Sequence, residues 1–113
     1  MIEKTVLDYL NENLDVSVFM SRPQSEEIPD SYCLLEKAGS SVKNHIYTAT
    51  FMIQSIAPTL YQAAVLNDAV KSAMDGLINL NEVTRSTLNS DYNFTDPRSK
   101  EFRYQCVYDV VHY

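Results

Sequence analysis

The chain has 113 residues, of which 45% are hydrophobic and 21% are charged. These values are typical of a globular protein and exclude disordered, collagen-like and coiled-coil classes. The length provides for one hydrophobic core, so we expect a single domain over residues 1–113.

The charge is unevenly distributed along the chain. Nine Lys and Arg residues stand against fifteen Asp and Glu residues, which gives a net charge of −6. Residues 1–36 hold eight acids and two basic residues, whereas residues 37–113 hold seven of each sign. An acidic chain without a basic stretch has little to attract phosphates, so no nucleic-acid partner is expected.

The two cysteines, Cys33 and Cys106, allow at most one disulfide. No charged-then-apolar signal segment opens the sequence, and this favours free thiols in a reducing cytoplasm. No apolar run approaches the roughly 20 residues of a membrane-spanning helix, so no membrane partner is expected.

The first third of the chain predicts one helix and two strands. Ile2, Val6, Leu10 and Leu14 form the apolar stripe of a short amphipathic helix. Alternation predicts a short strand at 16–21, followed by an acidic loop at 24–30 and a second strand at 31–38. Residues 39–41, Gly-Ser-Ser, predict a turn.

The remainder predicts a long strand, a helix and two further strands. Residues 44–57 are rich in β-branched and aromatic side chains and predict a central or hairpin-paired strand. Thr59 and Gln62 have the spacing of a capping box, and the helix stripe that follows comprises Ala63, Leu66, Val70, Ala73 and Leu77. Gly76 marks the final turn of this helix. Strands are predicted at 83–88 and 102–111, separated by a polar turn region at 89–99.

This element order, α-β-β-β-α-β-β, has short links and no βαβ rhythm. It predicts an α+β domain in which a mostly antiparallel sheet of four to five strands carries both helices on one face.

Signatures of catalysis are missing from the sequence. With only two glycines, neither a dinucleotide fingerprint nor a P-loop can be formed. His45, His112 and the two cysteines stand far apart without ligand spacing, so neither a metal site nor a cofactor is expected. No serine or cysteine has the context of a nucleophile. We therefore expect a protein that is not an enzyme.

One enzymatic alternative remains open, a metal-dependent nuclease in which two acids hold the metal and a lysine assists water. Asp30, Glu36 and Lys37 resemble that pattern superficially. The spacing between Glu36 and Lys37 puts their side chains on opposite faces of a strand, which argues against this reading.

Three groups of side chains are candidates for protein contact. An acidic loop carries Glu26, Glu27 and Asp30. It is either a cation or partner patch or merely a soluble surface. A basic cluster comprises Arg98, Lys100 and Arg103, which could bind a partner or pair with nearby acids.

Tyr92 and Phe94 alternate within the polar turn region. They either continue a strand into the core or form an exposed contact site.

The whole chain resembles the tail terminator and tail completion proteins of long-tailed phages and prophages, also called minor capsid or head-tail joining proteins. The resemblance is carried by a short N-terminal helix, a strand ending in Arg22-Pro23, and the strand at 47–58 that leads into an alanine-rich helix. It continues in DYNFTDP at 91–97 and FRYQ at 102–105.

The resemblance implies a non-enzymatic virion protein without cofactors. In that family six subunits close a homo-hexameric ring that caps the tail tube and meets the head-tail connector. The expected partners are therefore further copies of this chain, the tail tube protein and the connector protein. The expected location is the tail or neck of the virion, after assembly in the bacterial cytoplasm.

The charge distribution suggests how such a ring could be held. We hypothesise that the acidic first third of one subunit contacts the basic cluster of a neighbouring subunit or of the tail tube. The competing class is a small adaptor that holds a protein partner through a sheet edge or through the 91–98 loop.

Overall fold

A computed structural model describes residues 1–24, 27–98 and 101–113. In chain order the elements are α1 (Ile2–Asn13), β1 (Val18–Phe19), β2 (Tyr32–Lys43), β3 (Ile46–Ala57), α2 (Leu60–Asp75), a 3₁₀ helix (Gly76–Asn79), β4 (Val83–Asn93) and β5 (Phe102–His112). This order confirms the predicted sequence of helices and strands.

The five strands form one sheet in the order β1-β2-β3-β5-β4. β1 runs parallel to β2, and every other neighbouring pair is antiparallel. The sheet is therefore mixed, although four of its strands are antiparallel, and the α+β class is confirmed. β3 is the central strand of the sheet and also forms a hairpin with β2. The strand predicted at 44–57 is therefore both central and hairpin-paired.

The core lies between the helices and one face of the sheet. Phe51 of β3 is fully buried there together with Val6 and Leu10 of α1 and Val70 and Met74 of α2. Both helices contribute to this one cluster, as expected for helices that share a face of the sheet.

The buried face of α2 differs from the predicted stripe. Asn67 and Met74 are buried, whereas Leu66 and Ala73 are only partly buried. The amide of Asn67 donates to Asp91 Oδ2 at 3.1 Å, and Lys71 Nζ contacts the same oxygen at 2.8 Å. The Lys71 hydrogen bond lowers the pKa of Asp91, and this bonded carboxylate explains why a polar residue faces the sheet.

Asp91 belongs to β4, so the prediction of a polar turn region at 89–99 was wrong for its first part. β4 continues to Asn93 and pairs with β5 up to Tyr104. It is an edge strand with two shifts of register, one between Val83 and Arg85 and one between Leu88 and Ser90. Polar residues are common on edge strands, because they discourage pairing with unrelated chains.

The turn predicted at 39–41 was also wrong. β2 passes through Gly39 with a shift of register beside Lys37 and continues to Lys43. The chain reverses at Asn44 and His45, whose φ angles are 53° and 65°. Positive φ at both central residues is characteristic of the type I′ turn that favours hairpins. His45 is therefore a turn residue and not a strand residue.

β1 is shorter than the predicted strand at 16–21. The side chain of Asn11 accepts a hydrogen bond from Val18 N at 2.9 Å and donates to Val18 O at 3.2 Å. The Asn11 side chain thus forms the two backbone hydrogen bonds that a further strand would form at Val18. Pairing of β1 with β2 is limited to Val18 and Phe19.

The ends of α2 follow the sequence signals. Thr59 Oγ1 accepts from Gln62 N at 3.1 Å, which confirms the N-cap, while the hydroxyl also lies 3.1 Å from Gln62 Oε1. The helix ends at Gly76, where a Cβ would stand 2.9 Å from Tyr9 Oη. Tyr9 donates to Ala73 O at 2.8 Å, so the glycine admits a close contact between α1 and α2.

Both cysteines are free and buried in the core. Burial raises the pKa of Cys33 from 9.0 to about 12 and that of Cys106 from 9.0 to about 12. Because the thiolate is the reactive form, we expect native thiols at pH 8 to react with a disulfide reagent at least ~1,000-fold more slowly than in urea. Absorbance kinetics of the released thiol measure both rates, and similar rates would contradict the buried placement.

Candidate protein-interaction surfaces

The sheet face opposite the helices carries half-buried apolar and amide side chains. Leu34, Gln54, Gln105 and Tyr92 form one cross-strand row on this outer face. Gln105 Nε2 donates to Tyr92 Oη at 2.5 Å. The row joins four strands and ends at an exposed aromatic ring.

Two polar atoms of the outer face lack hydrogen-bond partners among the described residues. They are Gln54 Oε1 and Arg103 Nε, and both atoms are shielded from solvent. An unpaired buried polar group costs about 1–3 kcal/mol, so such groups are rare in native proteins.

Tyr92 and Phe94 form an exposed pair at the end of β4. Their rings contact edge to face with centroids 5.9 Å apart, and their exposed fractions are 41% and 44%. Tyr92 continues the strand, as one reading predicted, but neither ring enters the core. The structure therefore favours an aromatic contact site over core packing at these two positions.

The basic cluster lies beside this pair. Arg98 is exposed, and its backbone N–H is held by Asp96 Oδ1 at 2.9 Å. Arg103 is half-buried on the outer face of β5, while Lys100 lies outside the described residues. The acid next to this cluster, Glu101, bonds to Arg22 and not to Arg98 in this structure, with Arg22 Nη1 2.9 Å from Glu101 Oε1.

The acidic loop reaches the same end of the subunit. Glu27 and Asp30 are exposed, and Asp30 lines a shallow cleft together with Glu101. Glu26 lies outside the described residues. Glu101 also accepts a hydrogen bond from Tyr32 Oη at 3.1 Å. Asp30 of the acidic loop therefore lies near Glu101, which is close to the basic cluster in the chain, a proximity that sequence order alone does not indicate.

At the opposite end, the hairpin of β2 and β3 extends beyond the core. We name residues 38–48 the hairpin arm. Ten of its residues are exposed and Thr48 is half-buried. Val42, Ile46 and Tyr47 have exposed fractions of 60%, 47% and 43%. The arm contributes to a long axis of 45 Å, against 25 and 21 Å across the subunit.

An apolar groove lies where the C-terminal end of α1 meets the first turns of α2. It has a volume of about 270 Å³ and is lined chiefly by Leu14, Tyr61, Val65, Leu66 and Ala69. Asp15 and Gln62 complete its rim. Tyr61 is 79% exposed and Val65 is 51% exposed, so the groove presents apolar surface to solvent. Sequence reasoning missed both the groove and the arm.

Within residues 1–24, 27–98 and 101–113, no three His, Cys, Asp or Glu side chains are grouped so that they could hold a metal ion. Neither helix in those ranges has the length and hydropathy to cross a bilayer. Glu36 lies exposed on the outer face while Lys37 turns inward to Glu3 at 3.3 Å, on the opposite side of β2.

Comparison with known proteins adds no family assignment. A scan of protein-family models gives no match to the chain, and a search of curated proteins gives none either.

Proposed function

We propose that this protein is the subunit of a ring that caps the tail tube of a tailed phage or prophage. The ring stops tube polymerisation and provides the surface to which the head connector joins. The observation that carries this proposal is the difference between the two ends of the subunit. One end is the hairpin arm, and the other holds the groove, the aromatic pair and both charged loops.

Unlike ends suit head-to-tail assembly. A heterologous interface joins two different surfaces, and it closes into a ring when the rotation between neighbours divides a full turn. The resemblance to tail terminator proteins supplies the ring size of six and the partners, namely the tail tube and the connector.

The charged end of the subunit is the proposed contact with the tail tube. The acidic loop and the basic cluster lie together there, so a tube surface with both signs of charge would complement it. The proximity of the two clusters within one subunit favours the tube over a ring neighbour as their partner. The hydrogen bonds of Glu101 to Arg22 and Tyr32 hold this end in shape.

Charge reversal tests that contact. We expect Arg98→Glu combined with Lys100→Glu to weaken tube capping about tenfold or more, because like charges would then face each other across the interface. The fold should be unaffected by the change at Arg98, since this charge is exposed and exposed charges contribute little to stability. Tube-length distributions at several protein concentrations measure the effect.

Arg85→Glu is the matched control, because Arg85 is exposed on β4 near the other end of the subunit. Intact capping by the double variant would contradict the assigned tube contact.

The adaptor alternative makes a different prediction for the oligomeric state. Light scattering of the purified chain, with and without tail tube protein, separates the two classes. The ring predicts concentration-dependent association up to a six-subunit mass, or such a mass once tube is present. A chain that stays monomeric and does not associate with tube protein would favour an adaptor that uses the Tyr92 and Phe94 pair.

A further inference from the structure

We propose that the hairpin arm of one subunit docks into the apolar groove between α1 and α2 of a second copy. Ile46 is the side chain that enters the groove, and Lys43 faces the acids beside it. This inference rests on the proposed function only in that it specifies how neighbouring copies meet. The contact itself can be measured without phage components.

The arm cannot reach the groove of its own subunit. β3 runs from Ile46 beside the turn to Ala57, which leads directly into α2. Twelve residues of strand span roughly 36 Å at about 3.3 Å per residue. Arm and groove therefore lie at opposite ends of one molecule, and only a second copy can bring them together.

The two surfaces match in size and polarity. Ile46 and Val42 stand on opposite faces of the arm near its turn, and both are exposed. The groove of about 270 Å³ lies just below the ~300–1,000 Å³ of small-ligand pockets. It suits one or two aliphatic side chains. Anchoring by a buried apolar side chain in a pocket is the usual core of a protein interface.

The charges of the two surfaces are also complementary. Residues 37–67 contain Lys37, Lys43 and His45 but no acid. Lys37 pairs with Glu3 within the subunit, whereas Lys43 has no ion-pair partner among the described residues. Lys43 lies opposite Ile46 in the hairpin, so the free cation accompanies the apolar anchor.

The groove supplies the opposite sign. Asp15 is exposed on its rim. Asp68 lies one turn beyond Val65 on the same side of α2, and its side chain is 77% exposed. Lys71 stands 3.4 Å from Asp68 but only 2.8 Å from Asp91, so Asp68 retains exposed oxygen for a second cation. Attraction between Lys43 and these acids would orient the docking.

Disulfide trapping between two variants tests the contact. One chain carries Ile46→Cys and the other, distinguished by a size tag, carries Val65→Cys. We expect a covalent heterodimer on mild oxidation, because a disulfide requires Cα atoms about 4.4–6.8 Å apart. Cys33 and Cys106 are buried and should not compete. Ile78→Cys replaces Val65→Cys as the control at an exposed position outside the groove, at 53% exposure.

A heterodimer yield no higher than that of the Ile78→Cys control would overturn the proposal. A chain that carries both Ile46→Cys and Val65→Cys should instead give a ladder of covalent multimers, because each copy then has one donor and one acceptor end.

A second measurement does not depend on oxidation. Ile46→Asp should weaken self-association at least about tenfold in sedimentation velocity, because it removes an apolar anchor and places a carboxylate near Asp15 and Asp68. Ile78→Asp should leave it unchanged. Circular dichroism confirms that both variants are folded. Equal association by Ile46→Asp and the native chain would overturn the proposal.

These outcomes separate the inference from the proposed function. If disulfide-trapped multimers form but the protein leaves tube length unchanged, the docking is supported and the proposed tail function is contradicted. If the Ile46→Asp chain still caps tubes and associates as strongly as the native chain, the proposed tail function is retained and the docking is contradicted.

Discussion

Phe51→Ala is expected to destabilise the fold by about 3–5 kcal/mol. Phe51 is fully buried in the central strand, where it pairs with Lys37 on β2 and Tyr108 on β5. Truncation would leave a cavity between the sheet and both helices. Domains of this kind have total stabilities of about 5–15 kcal/mol, so the substitution would remove between about a fifth and all of the free energy of unfolding.

Phe94→Ala is the matched control for this prediction. The same atoms are removed from a ring that is 44% exposed beyond the end of β4. We expect a loss below about 1 kcal/mol there, as for other surface substitutions. Urea denaturation of both variants measures the two free energies of unfolding. Equal losses would contradict the placement of Phe51 in the core and Phe94 outside it.

Removal of the protein from an assembling phage is expected to have the largest functional effect. Without a cap, tube subunits continue to add, so tails should become overlong or fail to join heads. Electron microscopy of particles that lack the protein measures tail length and the fraction of joined heads. Expression of the native chain from a second copy is the control and should restore both. Normal tails in its absence would contradict the tail assignment.

Much of the fold could be predicted from the sequence because its apolar residues are periodic. The alternation of β3 identifies Tyr47, Ala49, Phe51 and Ile53 as one face, and all of these except the exposed Tyr47 are buried. The cap at Thr59 and the end of α2 at Gly76 follow from local chemistry that does not depend on packing. These features are local, and local signals are what a sequence displays most clearly.

The errors arose where long-range pairing overrides local preference. Gly39 and the two serines after it favour a turn, yet pairing with β3 carries the strand through them to Lys43. Residues 89–93 are too polar for a buried strand but suit an edge strand paired with β5. Asn67 is buried because Asp91, far away in sequence, binds its amide.

The candidate surfaces were predicted in part. Tyr92, Phe94 and Arg98 are all exposed and lie close to one another in the chain, as a contact site requires. The hairpin arm was missed because Gly39 and the two serines after it predict a turn where β2 continues. One signal could have indicated it, namely the long interval from Lys37 to Asn67 in which basic residues occur without acids.

The most direct test of the proposed function adds the purified chain to tail tube protein while it polymerises. Negative-stain electron microscopy then records the length of the tubes and the appearance of their ends. The proposal predicts shorter tubes of narrow length distribution, each ending in a ring of six subunits. Tubes of unchanged length with bare ends would contradict it.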